Sequence, residues 1–221
     1  AKTPLLYMPV RGEIDRQISD WMAELDGVTR QDLPGKFTQK TLRQWMRKNP
    51  GFRSFTVIRH PVARAHAVFC KRIVGTGHNA FGEIRQTLRQ KYKLPIPGRN
   101  GEGDYPLEDH RQAFKMFLDF LKANLTGQTS IRVDQVWATQ VSVLEGMSGF
   151  CLPDLILRED EIADALPDLA RKVGHPAPPA LTNATDDTPY PLASIYDAEI
   201  EKKAADAYQR DYLLFGFKNW K

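Results

Sequence analysis

With 221 residues and an apolar content of 42%, the chain is long enough to bury a sizeable core and reads as a single domain over residues 1–221. No apolar run has the length of a membrane span and no signal-peptide pattern opens the sequence, which predicts a soluble, cytoplasmic protein with no membrane contact. The formal net charge of +4 favours anionic ligands, and nucleic acid is disfavoured because the basic residues lack an aromatic platform or a recognisable module.

In chain order, the run from Leu5 to Val10 predicts a short strand. Ile14, Ile18, Trp21, Met22 and Leu25 then share one helical face that ends before Gly27, with Asp15 placed to cap or charge the first turn. Val28 to Gln31 predicts a second short strand. Thr38 reads as the N-cap of a helix carrying Leu42, Trp45 and Met46, stopped by Asn49-Pro50-Gly51. The basic residues gathered here, Lys36, Lys40, Arg43, Arg47, Lys48 and Arg53, read either as the wall of an acidic-glycan groove or as a solvated face.

The stretch Phe55 to Ile73 organises the rest. Phe55-Thr-Val-Ile58 is an uninterrupted apolar or β-branched run, Arg59-His60-Pro61 is a sharp turn, and Ala65, Val68, Phe69 and Ile73 follow at helical spacing. Pro61 suits the first helical position, so the helix N-terminus faces the strand tip that bears Arg59. A guanidinium beside unpaired helix amides receives a phosphate or sulfate; the same residue equally suits a structural ion pair, and the pattern leaves both open.

Gly75 to Ala80 is a connection, and Ile84, Leu88 and Tyr92 mark another helix. Pro95 to Pro106 is a Pro- and Gly-rich loop, and His110 to Leu125 is the strongest amphipathic helix in the chain. Leu155 to Leu157 predicts a strand. Ile162, Leu166, Leu169 and Val173 predict a helix closing at Gly174, with a break or restart at Pro167. Residues 175–191 form a loop, and one helix is expected from Asp197 to Tyr212. Cys70 and Cys151 cannot make a disulfide framework and read as small buried hydrophobes in a reducing compartment. The five histidines show no metal-ligand spacing, which argues against zinc.

The run Arg59-His60-Pro61-Val62-Ala63-Arg64-Ala65-His66-Ala67-Val68-Phe69 resembles the 3′-phosphate motif of the carbohydrate sulfotransferases, a strand followed by Arg-Asn-Pro-x-x-Arg-x-x-Ser-x-Tyr. Both arginines, the proline and the aromatic fall in register, whereas the serine is Ala67. Pro9-Val10-Arg11-Gly12-Glu13-Ile14-Asp15 stands where that family places its phosphosulfate loop, keeping the glycine and replacing the lysine by Val10. Val136-Trp137-Ala138-Thr139-Gln140 is similar to His-Trp-x-Pro-Gln, Glu159 ends a strand as a family glutamate does, and Tyr208 to Phe217 resembles Tyr-x-x-Asp-[Tyr/Phe]-x-x-Phe-Gly-Tyr.

The resemblance implies an α/β sulfotransferase-like fold related to the P-loop nucleotide kinases, a small parallel sheet flanked by helices, using 3′-phosphoadenylyl sulfate as co-substrate and no metal. Arg59 and Arg64 would hold the 3′-phosphate, Arg11 and the Gly12 amide would take over the lysine loop, and the acceptor would be a hydroxyl of a carbohydrate or similar molecule. No catalytic residue is assigned; His78 is the candidate base that remains once the family's histidine is found to be Val136. Val10, Ala67 and Val136 each remove a polar group the chemistry uses, and Glu13 and Asp15 would set like charges beside the donor at a cost of about 1 to 4 kcal/mol each. The alternative is therefore a degenerate, non-catalytic domain that binds an anion or a partner. Acceptor identity and oligomeric state have no signature in the residues. Opening at Ala-Lys, the sequence reads as a processed product or a piece of something longer.

Overall fold

The computed structural model describes residues 2–12, 14–35, 37–98, 104–182 and 188–221. It is an α/β structure that divides into two compact units, each assembled from separated stretches of chain: Ala1–Arg59 with Val143–Thr185, and His60–Ser142 with Asp186–Lys221. Among the described residues no helix is long and apolar enough to cross a membrane.

The first unit is built on a parallel sheet. Strands β1 (Leu5–Tyr7), β2 (Arg53–Ile58) and β3 (Leu155–Arg158) lie in that order, with Leu5 opposite Arg53 and Phe55 opposite Leu155. Phe55, Val57 and Ile58 are almost fully buried, as a central parallel strand covered on both faces requires, and each contributes about 1.5 to 3 kcal/mol. Helices α1 (Ile14–Asp26) and α7 (Ile162–Lys172) cover the face that bears Phe55 and Val57, where Ile18, Trp21, Leu166 and Leu169 pack with them in one core. Gly27, at φ +64°, ends α1 in a conformation that suits glycine. Helix α2 (Gln39–Lys48) starts at Thr38, whose side chain accepts from the Thr41 amide.

Two expectations fail in this unit. Residues 28–31 make no strand; Thr29 and Asp32 form a reciprocal capping box around a 3-10 turn at Arg30–Asp32, a local arrangement that outcompetes sheet pairing. Helix α7 runs through Pro167 without a break, and the proline ring is buried beside Leu166 and Leu169. The apolar packing of that ring offsets the lost backbone hydrogen bond.

The second unit is helical. Helix α3 (Pro61–Val68) passes directly into a π-helical turn at Phe69–Val74, followed by α4 (Gly82–Lys91), the long α5 (Leu107–Leu125) and α6, which starts at Gln140. A Cβ on Gly75 would stand 2.9 Å from the Lys71 carbonyl oxygen, so the exit from the π turn is tight enough to need glycine. Arg85 donates to the carbonyls of Ile73 and Val74 at 2.5 and 3.2 Å, satisfying acceptors at that end. The expected helix over residues 197–212 is two helices, α8 (Ala198–Ala207) and α9 (Gln209–Phe215), separated at Tyr208. Helices α5 and α8 run parallel, as their ion pairs show: Arg111 with Asp197, Asp119 with Lys203, and Lys122 with Asp206.

Candidate functional site

The loop after β1 carries Arg11 and Gly12. Because β1, β2 and β3 are parallel, this loop, Arg59 and Glu159 all leave the sheet at its C-terminal edge, where ligands of open α/β sheets bind. The loop's own carboxylate is already there. Asp15, in the first turn of α1, accepts from the Gly12 amide at 3.1 Å and from the Tyr7 hydroxyl at 2.6 Å. Burial, with the Asp15 charge and hydrogen bond beside it, pushes the Tyr7 phenol well above its usual range, so it stays a donor. A donor phosphate seeking the same amide would meet this carboxylate.

Arg59 ends β2 and donates through Nε to Glu159 Oε2 at 2.6 Å, with side-chain exposures of 16% and 34%. Of the two readings that the sequence left open, the ion pair is the one present. At the start of α3, His60 Nδ1 accepts from the Val62 amide at 3.3 Å and Nε2 lies 2.7 Å from the Lys218 carbonyl oxygen, which places the proton on Nε2. The helix amide nearest the turn is thus capped by its own chain.

Arg64 belongs to the second unit, whereas Arg11, Gly12 and Arg59 belong to the first. Its guanidinium is buried and donates to the carbonyls of Ala138 at 2.7 Å and Gln135 at 3.1 Å. The same segment is held from its other side. The Tyr208 hydroxyl donates to the Trp137 carbonyl at 3.0 Å, and buried Asp211 accepts from the amides of Gln140 and Val141 at 2.9 and 3.0 Å, capping α6. Burial raises the Asp211 carboxyl against the opposing pull of those amides and the Arg64 charge. Trp137 Nε1 donates to Asn124 Oδ1 at 2.9 Å. Arg64, Trp137, Gln140, Tyr208 and Asp211 all stand in family-like motifs, and here they form one internal network. His78 is exposed in the connection before α4.

A cavity of about 470 Å³ opens along β1 in the first unit, lined by Tyr7, Arg11, Met22, Arg30, Phe37 and Trp45 among others. Arg30 pairs with Asp20 at 3.1 Å on the exposed side. An apolar floor with guanidinium groups among its lining residues suits a small anion with an apolar body.

The second unit also contains a cluster outside these motifs. His66, Cys70 and His110 are buried, and their donor atoms lie within 4.8 Å of one another. Nε2 of His66 is 3.1 Å from Nε2 of His110, and Cys70 Sγ is 3.4 and 3.9 Å from those same atoms. Burial pushes the His110 imidazole down to about 4, so it is neutral at ordinary pH. Histidine spacing does not reveal this cluster, because the nearby pair is a histidine on α3 and a cysteine in the π-helical turn that continues it. Their i, i+4 separation on one helical face was the available signal; His110 arrives from α5 through packing alone. Compared with protein families, with curated proteins and with solved structures, the chain matches none.

Proposed function

We propose that the chain has the plan of a sulfotransferase-like domain, related to the P-loop nucleotide kinases, and serves as an anion-binding module instead of a sulfuryl-transfer enzyme. The observation that carries this reading is the Asp15 carboxylate seated on the Gly12 amide and the Tyr7 hydroxyl, in the loop that would cradle a phosphosulfate. The Arg59 and Glu159 ion pair agrees with it, since a guanidinium neutralised within its own sheet has less charge to offer a 3′-phosphate. The ligand would then be a small anion with an apolar body, its charge at Arg11 and its body against Met22, Phe37 and Trp45.

Sulfuryl transfer from 3′-phosphoadenylyl sulfate to a carbohydrate hydroxyl is the second reading. It is favoured by the parallel register of β1 and β2, which brings the Arg11 and Gly12 loop to the same sheet edge as Arg59. Calorimetric titration with 3′,5′-adenosine bisphosphate separates the two. The anion-module reading expects weak binding, with a Kd above ~10 μM, abolished in Arg11→Ala and tightened in Asp15→Asn. A nanomolar constant in the unaltered protein, together with turnover of the sulfated donor, would establish the enzyme instead.

A further inference from the structure

We propose that the second unit holds one buried divalent metal ion, zinc by its donor chemistry, on His66 Nε2, Cys70 Sγ and His110 Nε2. The geometry already has the right scale. Zinc bonds of about 2.0 to 2.1 Å to nitrogen and 2.3 Å to sulfur make the edges of a coordination tetrahedron about 3.3 to 3.6 Å long. The observed edges of 3.1, 3.4 and 3.9 Å straddle that range, so an ion fits among the three atoms with side-chain adjustments of a few tenths of an ångström. Two imidazoles and a thiolate form a borderline-soft set that selects zinc over magnesium or calcium.

Three further observations point the same way. The first is the backbone: Cys70 sits in the π-helical turn, and π turns occur mostly as single turns at functional sites, since an ordinary α-helix is the better-bonded alternative. The second is Tyr105, whose hydroxyl is buried without a hydrogen-bond partner, within electrostatic reach of Cys70 and with its ring 5.5 Å from that of His110. That unsatisfied hydroxyl, on the ring beside His110, is the polar group at hand for the fourth position. The Cys70 thiolate offsets one of the two charges of the ion, which lowers the cost of holding it away from water. The third is the enclosure: the Phe114 ring lies 5.1 Å from His66, and Phe69 and Tyr190 lie 5.3 and 5.2 Å from His110. Such a wall excludes water, so the site is structural and closed, and it fills as the unit folds. On binding, the proton of the Cys70 thiol passes to solvent and no redox change occurs.

The test uses the full chain, unfolded and refolded with either zinc or cobalt(II), then dialysed against a weak chelator. About one zinc per chain by elemental analysis is expected. With cobalt, intense visible d–d bands and a thiolate-to-metal charge-transfer band in the near ultraviolet should appear. Cys70→Ser should erase the charge-transfer band and His110→Gln should weaken binding more than tenfold, while Tyr105→Phe keeps the band with altered d–d intensity. Zinc should raise the Tm of the unaltered protein and of Arg11→Ala alike, but not that of Cys70→Ser. The cobalt spectrum of the unaltered protein needs no variant to fold. Refolded protein holding less than about a tenth of an equivalent of either metal, or a charge-transfer band that survives Cys70→Ser, overturns the site.

Discussion

Asp197 shows how a single carboxylate is tuned by competing neighbours and burial. Its burial works to raise the carboxyl, but the Arg111 guanidinium, the Ile200 amide at 2.8 Å and the Lys115 ammonium at 3.5 Å outweigh that and bring it down to about 2. The unfolded chain holds an ordinary aspartate near 3.9, so the folded state binds the proton less tightly than the unfolded one. The resulting stabilisation is complete above about pH 4 and is lost as the pH falls toward 2. With the side chain 27% exposed, solvent screening limits it to about 1 to 2 kcal/mol. Asp197→Asn keeps an N-cap competent to hold the Ile200 amide and removes only the charge. Urea midpoints should therefore fall for this variant at pH 7 and converge with those of the unaltered protein near pH 2. A variant midpoint unchanged at pH 7 would mean that the ion pairs contribute nothing.

At the scale of elements, α6 shows how one segment depends on a distant one. Its first amides are capped by Asp211, which belongs to α9, and the carbonyls just before it are held by Arg64 and Tyr208. Asp211→Ala leaves buried amide donors at Gln140 and Val141 and an Arg64 charge without its nearby carboxylate, so a loss of about 2 to 4 kcal/mol is expected in chemical denaturation. Asp211→Asn, which keeps one acceptor oxygen, should lose about half as much. A change below about 0.5 kcal/mol in the alanine variant would show that α6 does not need the cap.

This dependence also explains what could be read in advance. The strand at Phe55 to Ile58 and the helix start at Pro61 are legible because an apolar run and a proline act locally, and so is the cap at Thr38. Helix α6 has a local cap at Thr139, whose hydroxyl accepts from the Ser142 amide at 3.2 Å, but its Gln140 and Val141 amides are held by Asp211, and that partner leaves no local signal. The break at Tyr208 falls within a continuous helical pattern, where the Tyr208 hydroxyl reaches the Trp137 carbonyl in a contact invisible to periodicity. The candidate site divides in the same way. Asp15 at a helix start was legible as a capping residue. The partner of Arg59 lies 100 residues away in sequence, and only folding supplies it.

For the whole molecule, the chain path constrains how the first unit forms. Strand β2 pairs with β1 on one side and β3 on the other, and Phe55 and Val57 are covered by Ile162, Leu166 and Leu169 from α7. Residues 1–59 contain β1, α1 and β2 but lack β3 and α7, so by themselves they expose one edge of β2 and half of its core. The missing pieces lie in residues 143–185, beyond the intervening stretch that belongs to the second unit. A fragment of residues 1–59 should accordingly show no cooperative thermal transition and exchange its β2 amides freely. Addition of a fragment of residues 143–185 should restore both a transition and protection at Phe55 and Val57, because Ser54 and Asp154 also lock the two pieces by hydrogen bonds of 2.8 and 2.9 Å. Cooperative unfolding of residues 1–59 alone would show instead that β1, α1 and β2 suffice as a nucleus, and that β3 and α7 dock onto a core already made.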